Sequence, residues 1–218
     1  MNKDKSKKII IIVIVIVAAI SALCSIAAAV LVGIFVVGAV TTKPEVYTDI
    51  TNYREYMSFD VTDADSQWNK WGIDESIWPQ EITDNMTIAD YKMVYYNPWD
   101  AQYLGYLVVD YSNEDYLKES ERLKSYQSTD YIGYYSVEEE KTYALLAINA
   151  DSYNGFVYAL TDGKNRIIYA EQIFCNYYMD LDYDKYIPHE YLLDGFDASS
   201  DNPYALARRK EINYYPCP

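Results

Sequence analysis

The sequence predicts an α+β protein: a single N-terminal transmembrane helix, then an extracytoplasmic antiparallel sheet of ββαββββ order with one packed helix and a short C-terminal helix. Three observations carry this. Residues 9–42 hold no charged side chain. From residue 91 onward, short β-branched and aromatic runs alternate with turn chemistry. Within that stretch, one segment at 114–126 has a helical period instead.

Lys3, Lys5, Lys7 and Lys8, with Asp4, form a basic tail (1–8) before the apolar run. As a helix, residues 9–40 would extend about 48 Å at ~1.5 Å per residue, against a hydrocarbon core of ~30 Å. One tilted span, or a span with an outer extension, accommodates that length. The lysines precede the run and Lys43, Glu45 and Asp49 follow it, so the positive-inside bias puts the N-terminus inside and the large domain outside. A cleaved signal peptide is the rival reading, because Val37-Gly38-Ala39 has the small residues of a cleavage site. Its apolar region would be about half as long, however. A lipidated Cys24 would need a leucine and a small residue upstream, where Ser21 and Leu23 stand. Ser21, Ser25, Ala29 and Gly33 recur every four residues, a strip through which two spans could form a homodimer. An alanine-rich span that lines up by composition is the other reading.

Residues 41–86 read as a neck and irregular lead-in, with one short helix near 51–58, and residues 87–218 as the folded domain. Residues 91–96 and 103–111 make two strands joined by Asn97-Pro98-Trp99-Asp100, with proline where a tight turn wants it. Both alternating sets of 103–111 are largely apolar (Tyr103, Leu107, Val109 and Leu104, Tyr106, Val108), so this strand should be covered on both faces, one cover being the helix. Ser112 followed by Asp115 opens the amphipathic helix. Strands at 131–135, 143–149, 156–161 and 166–174 follow, the last three separated by Asn154-Gly155 and Asp162-Gly163. Connections this short make neighbouring strands antiparallel. Asn202-Pro203 starts a final helix to about residue 212, with Arg208, Arg209 and Lys210 near its C-terminal end, where they could meet a wall polyanion or simply favour the helix dipole.

The chain has 33 acidic and 18 basic residues among 218, a net charge of −15. Four of the basic residues lie in the tail, so the rest of the chain is more acidic still. Such a surface repels nucleic acid and anionic lipid. Three cysteines are too few for a disulfide scaffold. Cys175 and Cys217 alone could pair outside the membrane, two inert thiols being the alternative. His189 is the sole histidine, which excludes a two-histidine metal site. No Gly-x-Ser-x-Gly elbow and no glycine-rich phosphate loop is present.

Asp180, Asp182 and Asp184 alternate and could hold a hard cation such as calcium. An EF-hand loop fails there, because Lys185 and Tyr191 occupy the glycine and glutamate places, and an acidic surface loop is the plainer reading. Glu138, Glu139 and Glu140 read as a solvated run. The 26 tyrosines suit strands and recognition surfaces alike. For any single tyrosine packing is the plainer reading, while the surplus near Tyr177-Tyr178 and Tyr214-Tyr215 favours contacts with a polymer or protein. Trp68, Trp71 and Trp78, in a polar segment, could form a stacking platform for sugar rings or seal one edge of the core. No cofactor is expected.

Asn97-Pro98-Trp99-Asp100, Tyr103-Leu104-Gly105-Tyr106, Asn165-Arg166-Ile167-Ile168-Tyr169 and Tyr186-Ile187-Pro188-His189-Glu190-Tyr191 resemble the membrane-anchored and lipoprotein-like exported proteins of low-GC Gram-positive bacteria. That resemblance implies a location and brings no assigned activity. The expectation is a non-catalytic, membrane-anchored binding or accessory protein of the cell envelope, contacting the lipid bilayer and an envelope protein or wall glycan. The alternative is a carboxylate-dependent hydrolase of envelope glycans, whose two acids could be any of many.

Overall fold

The computed structural model describes residues 3–59, 70–129 and 142–214. It divides into two compact units, 1–42 and 43–218.

The first unit is one helix, α1 (Lys3–Thr41). It runs through the basic tail as well as the apolar stretch, and its segment Ile12–Gly38 is long and apolar enough to cross a membrane. The Thr41 and Thr42 hydroxyls donate to the carbonyls of Val37 and Gly38, which meets the acceptor need of the last turn. Pro44 then bars continuation by pushing Lys43 out of helical backbone.

The second unit is α+β. Its strands are β1 (Glu45–Tyr47), β2 (Thr87–Tyr96), β3 (Gln102–Asp110), β4 (Ala144–Asp151), β5 (Gly155–Thr161) and β6 (Arg166–Ile173). They form one antiparallel sheet in the order β1-β2-β3-β6-β5-β4. Helix α2 (Asn113–Lys124) follows β3, and α3 (Pro203–Tyr214) ends the unit. The expected strand at 131–135 lies outside the described residues. An additional edge strand, β1, sits in the stretch read from the sequence as a neck; three residues are too few to show a period. Residues 43–59 and 70–86 also contribute core, through Tyr53, Tyr56, Met57, Ile77 and Trp78.

Alternation along the central strands builds two apolar faces. Leu104, Tyr106, Val108, Phe156, Tyr158, Ile168 and Ala170 face one way and are covered by the segment carrying Leu181, Ile187, Tyr191, Leu192 and Ala198. Gln102 fastens that cover: its side chain accepts from the Asp180 and Leu181 amides at 2.8 and 3.0 Å. On the other face Met93, Tyr103, Leu107, Val157, Ala159, Ile167 and Tyr169 meet Tyr53, Met57, Ile77, Trp78 and, from α2, Leu123. Thus β3 is buried on both faces, as its two largely apolar alternating sets imply. Ser112 caps α2, accepting from the Asp115 amide at 3.2 Å.

The turns follow their residues. Asp162 Oδ1 gathers the amides of Lys164, Asn165 and Arg166 between β5 and β6, and Arg166 grips Asp110 with two bonds of 2.7 and 2.8 Å. At the start of β5, Gly155 has φ +118° and lies flat against Gln172, so a Cβ there would run into the Gln172 carbonyl. Gly155→Ala is therefore expected to cost about 3 kcal/mol of stability, combining positive-φ backbone strain with a clash that backbone cannot yield to. Chemical denaturation measures it, and a loss below about 1 kcal/mol would show that the hairpin re-forms around the added methyl.

Candidate functional site

One end of the sheet collects the features that a packed α+β domain does not need. The β2–β3 loop, the β4–β5 turn and the chain leaving β6 all lie at this end, since the register brings Tyr96 beside Gln102 and Gly155 beside Ile173. Three aromatic side chains are more than two-fifths exposed among the described residues: Trp71, Trp99 and Tyr153. All three are here. So are the three non-glycine residues with positive φ among the described residues, Trp71 (57°), Asn176 (62°) and Tyr177 (74°).

These strained residues belong to two tight turns. In Lys70-Trp71-Gly72-Ile73 the Ile73 amide donates to the Lys70 carbonyl at 3.1 Å, and both central residues have positive φ. Cys175 and Tyr178 form a bridge around Asn176 and Tyr177, again both positive. Paired positive φ values mark the type I′ turn, which favours Asn-Gly at its centre. Tryptophan in one turn and tyrosine in the other each cost about 1–2 kcal/mol relative to an unstrained residue. Bulky residues persist in such positions when the surroundings over-determine them, and positions of this kind concentrate at ligand sites.

The surroundings are specific. The Trp71 indole N–H donates to the Ala101 carbonyl at 2.9 Å, which lays the ring against the β2–β3 loop two residues from Trp99. Asn176 links that loop to the next turn, donating to Asp100 at 3.4 Å and accepting the Tyr153 hydroxyl at 3.2 Å. The Tyr153 and Tyr177 rings meet edge to face at 5.1 Å. Asn202, fully buried, donates to the Tyr177 carbonyl at 2.7 Å while capping α3 through the Tyr204 and Ala205 amides. Behind them is a cleft of about 300 Å³ lined by Asn176, Tyr178, Ser200, Ala205, Arg208 and Arg209. Arg209 is paired with Asp201 at 3.1 Å and Arg208 with Glu211 at 3.3 Å. Burial and Asp180 push the Tyr178 hydroxyl above its ordinary value while Arg209 pulls the other way. The Cys175 thiol is pushed up to about 12, by burial first and then by its hydrogen bond to Asp100, so it stays protonated at neutral pH.

What holds Trp71 out is the residue before it. Lys70 points into the core, where its Nζ lies 2.7 Å from Glu171 Oε1 on β6 and also against Glu75 Oε1; all three side chains are fully buried. Glu75 Oε2 accepts the Ser58 amide. Around them stand Tyr53, Tyr91 and Tyr103, each pushed up by burial first and also by Glu171, with Met57 Sδ 4.0 Å from the ammonium. Burial pulls the Lys70 ammonium down, but the two carboxylates outweigh it and hold it above the ordinary lysine value. Glu171 is driven well above the carboxylate range by burial and by Glu75, against the pull of Lys70.

The residues singled out from the sequence are distributed unevenly. Trp71, Tyr177 and Tyr178 come together at this end. Trp78 does not: it is fully buried, stacked on Tyr53 at 6.3 Å, and seals the core under a separate hollow. Trp68 and Cys217 lie outside the described residues, and with Cys217 the disulfide to Cys175. Glu138, Glu139 and Glu140 lie outside them too. Asp180 is taken by Gln102 at 2.9 Å and Asp182 by Lys185 at 2.6 Å. Asp180, Asp182 and Asp184 do not converge, and no cluster of three or more histidine, cysteine or carboxylate side chains among the described residues could hold a metal ion. His189 is exposed on a 3₁₀ turn (His189–Tyr191). In α1, Ser21, Ser25, Ala29 and Gly33 are exposed along one helix face, with the Ser25 hydroxyl donating to the Ser21 carbonyl at 2.9 Å.

A second hollow, of about 530 Å³, opens between residues 76–86 and α2. Its one cation, Arg122, is committed to the fold, donating to the carbonyls of Ser76 and Ile77 at 2.9 and 2.8 Å and to Glu119. Trp99 and Tyr153 are the site residues the sequence reading passed over. Their only signal was their place in turns. No family model, curated protein or solved structure matches the chain.

Proposed function

We propose that the chain is a membrane-anchored binding protein of the cell envelope that carries its α+β domain outside and takes a wall glycan at the aromatic end of the sheet. The observation that supports this is the convergence there of Trp71, Trp99 and Tyr153 with the strained turns that hold two aromatic residues in place. Flat apolar rings that keep an edge in water suit sugar faces, and Asp100, Asn176, Arg208 and Arg209 supply hydroxyl and anion partners beside them. The apolar helix supports anchoring by its length and composition, and the strip from Ser21 to Gly33 would serve a homodimer.

Trp71→Asn separates recognition from folding. With Gly72 following, the substitution gives the turn the Asn-Gly centre that type I′ geometry prefers, so stability should stay level or rise by up to about 1 kcal/mol. Affinity for wall glycan fragments should fall about tenfold, the equivalent of losing one aromatic contact of about 1.4 kcal/mol. The check is calorimetry with the full chain in detergent, with Trp99→Ala and Tyr153→Ala expected to compound the loss. Unchanged affinity in the triple variant would remove the glycan from this end of the sheet and leave an envelope protein as the partner. Turnover of the glycan by the wild type would favour a carboxylate-dependent hydrolase instead.

A further inference from the structure

We propose that Lys70 and Glu171 become joined by an amide bond between their side chains, formed by the folded chain itself with Glu75 as the proton acceptor. This is independent of what the aromatic end binds.

The geometry places the reactants. Lys70 Nζ is 2.7 Å from Glu171 Oε1 and touches Glu75 Oε1, with all three side chains fully buried. One ammonium facing two carboxyls cannot neutralise both in a dry site, so one carboxyl keeps a proton. Glu171 is the one that does: no amide donates to its Oε2, whereas the Ser58 amide donates to Glu75, and burial and the neighbouring Glu75 raise it. That choice matters, because a carboxylate repels a nucleophile and a carboxylic acid does not. Glu171 Oε2, moreover, accepts no hydrogen bond among the described residues, so no donor holds the oxygen that must leave, although the carboxyl also faces Glu75. Glu75 is positioned differently: its Oε2 is fixed by the Ser58 amide and its Oε1 lies on the ammonium. The strand opposite Glu171 presents Gly105, whose missing side chain is replaced by the soft end of Met93.

The step balances as follows. The Lys70 ammonium gives one proton to the Glu75 carboxylate and becomes a neutral amine. Its lone pair attacks the carbonyl carbon of the Glu171 acid, and the tetrahedral centre collapses with loss of hydroxide. The nitrogen's surplus proton joins that hydroxide, so one water leaves, one C–N bond has replaced one C–O bond, and Glu75 ends as a neutral acid. No oxidant or co-reactant is required. In bulk water, hydrolysis of such an amide is driven by solvation of the ammonium and carboxylate it produces. Among Tyr53, Tyr91, Tyr103, Met57 and Met93 that solvation is missing, and condensation removes a buried ion pair instead. Holding amine and acid in contact also supplies an effective concentration on the order of 10⁵ M or more.

Peptide mapping of the purified full chain after denaturation decides the matter. The expected result is a joined pair of peptides carrying Lys70 and Glu171, lighter by one water than their sum, with tryptic cleavage after Lys70 abolished. Recovery of both as unmodified linear peptides would overturn the proposal, and a bond found on Glu75 would overturn the choice of acceptor. Glu75→Gln keeps both joined residues and removes the proton acceptor, so bond formation in newly made protein should slow at least a hundredfold, the lower range for a general base. Formation at the wild-type rate in that variant would remove Glu75 from the step.

Discussion

Lys70→Met is expected to lower the unfolding free energy by about 3–5 kcal/mol at neutral pH. Methionine fills similar volume, so, measured against wild-type chains in which Lys70 and Glu171 are still unjoined, the loss comes from leaving Glu75 and Glu171 buried without their cation. The loss should also depend on pH. A carboxyl whose folded value is raised binds its proton more tightly in the native state. Its stabilising effect is whole below the ordinary glutamate value of ~4.3 and is lost as pH rises from there through the raised native value. Removing Lys70 removes the influence that lowers Glu171, so the variant should weaken as pH rises through that window, by up to about 1.4 kcal/mol per unit for one proton. Urea unfolding of both proteins at several pH values from 5 to 8 tests this. A loss that is small, or the same at every pH, would mean that the lysine does not hold the carboxyls.

Trp78→Ala should cost a comparable ~3–5 kcal/mol, for a different reason. Trp78 is fully buried between Tyr53 and Tyr169, with ring centroids 6.3 and 6.2 Å away, and its removal opens a hole in a face of the sheet. Its indole N–H has no hydrogen-bond partner among the described residues. Trp78→Phe discards that orphaned donor while keeping most of the ring, so it should cost less than half as much as alanine. Thermal and urea unfolding give both numbers, and ligand affinity in the surviving folded fraction should be unchanged. Equal losses for phenylalanine and alanine would show that the indole nitrogen is satisfied in solution.

The contrast between Trp71 and Trp78 marks where the sequence stops being informative. Both stand in the same polar, weakly periodic stretch, and nothing local distinguishes the one that is buried from the one that is displayed. Their difference is set by Lys70, whose partners lie five and 101 residues further on. One acid among 33 carries no mark of pairing with one lysine. The hairpin of β2 and β3, the Ser112-capped helix α2 and the turns at Gly155 and Gly163 were legible because each is specified within a few residues, by alternation, a cap or a glycine. Edge strand β1 was not, since its register comes entirely from β2. Asn176 announces a left-handed position, but Tyr177 beside it does not, because tyrosine there is imposed by Asn202 and Tyr153 from outside the turn.

The order of attachment along the chain has a mechanical meaning. A pull applied at Lys43 would reach β1 first, and β1 is held to β2 over only three residue pairs. It is a weak link at the edge of the sheet, suited to giving way early. Beyond it the described chain is gripped by Tyr53, Tyr56 and Met57 in the core and then by Lys70, whose hold on Glu171 carries the load past the edge and into β6, which is flanked by a strand on either side. Tension would thus be absorbed by sacrificing an edge strand and then spread across the middle of the sheet, with the aromatic turn that begins at Lys70 anchored to that same stop.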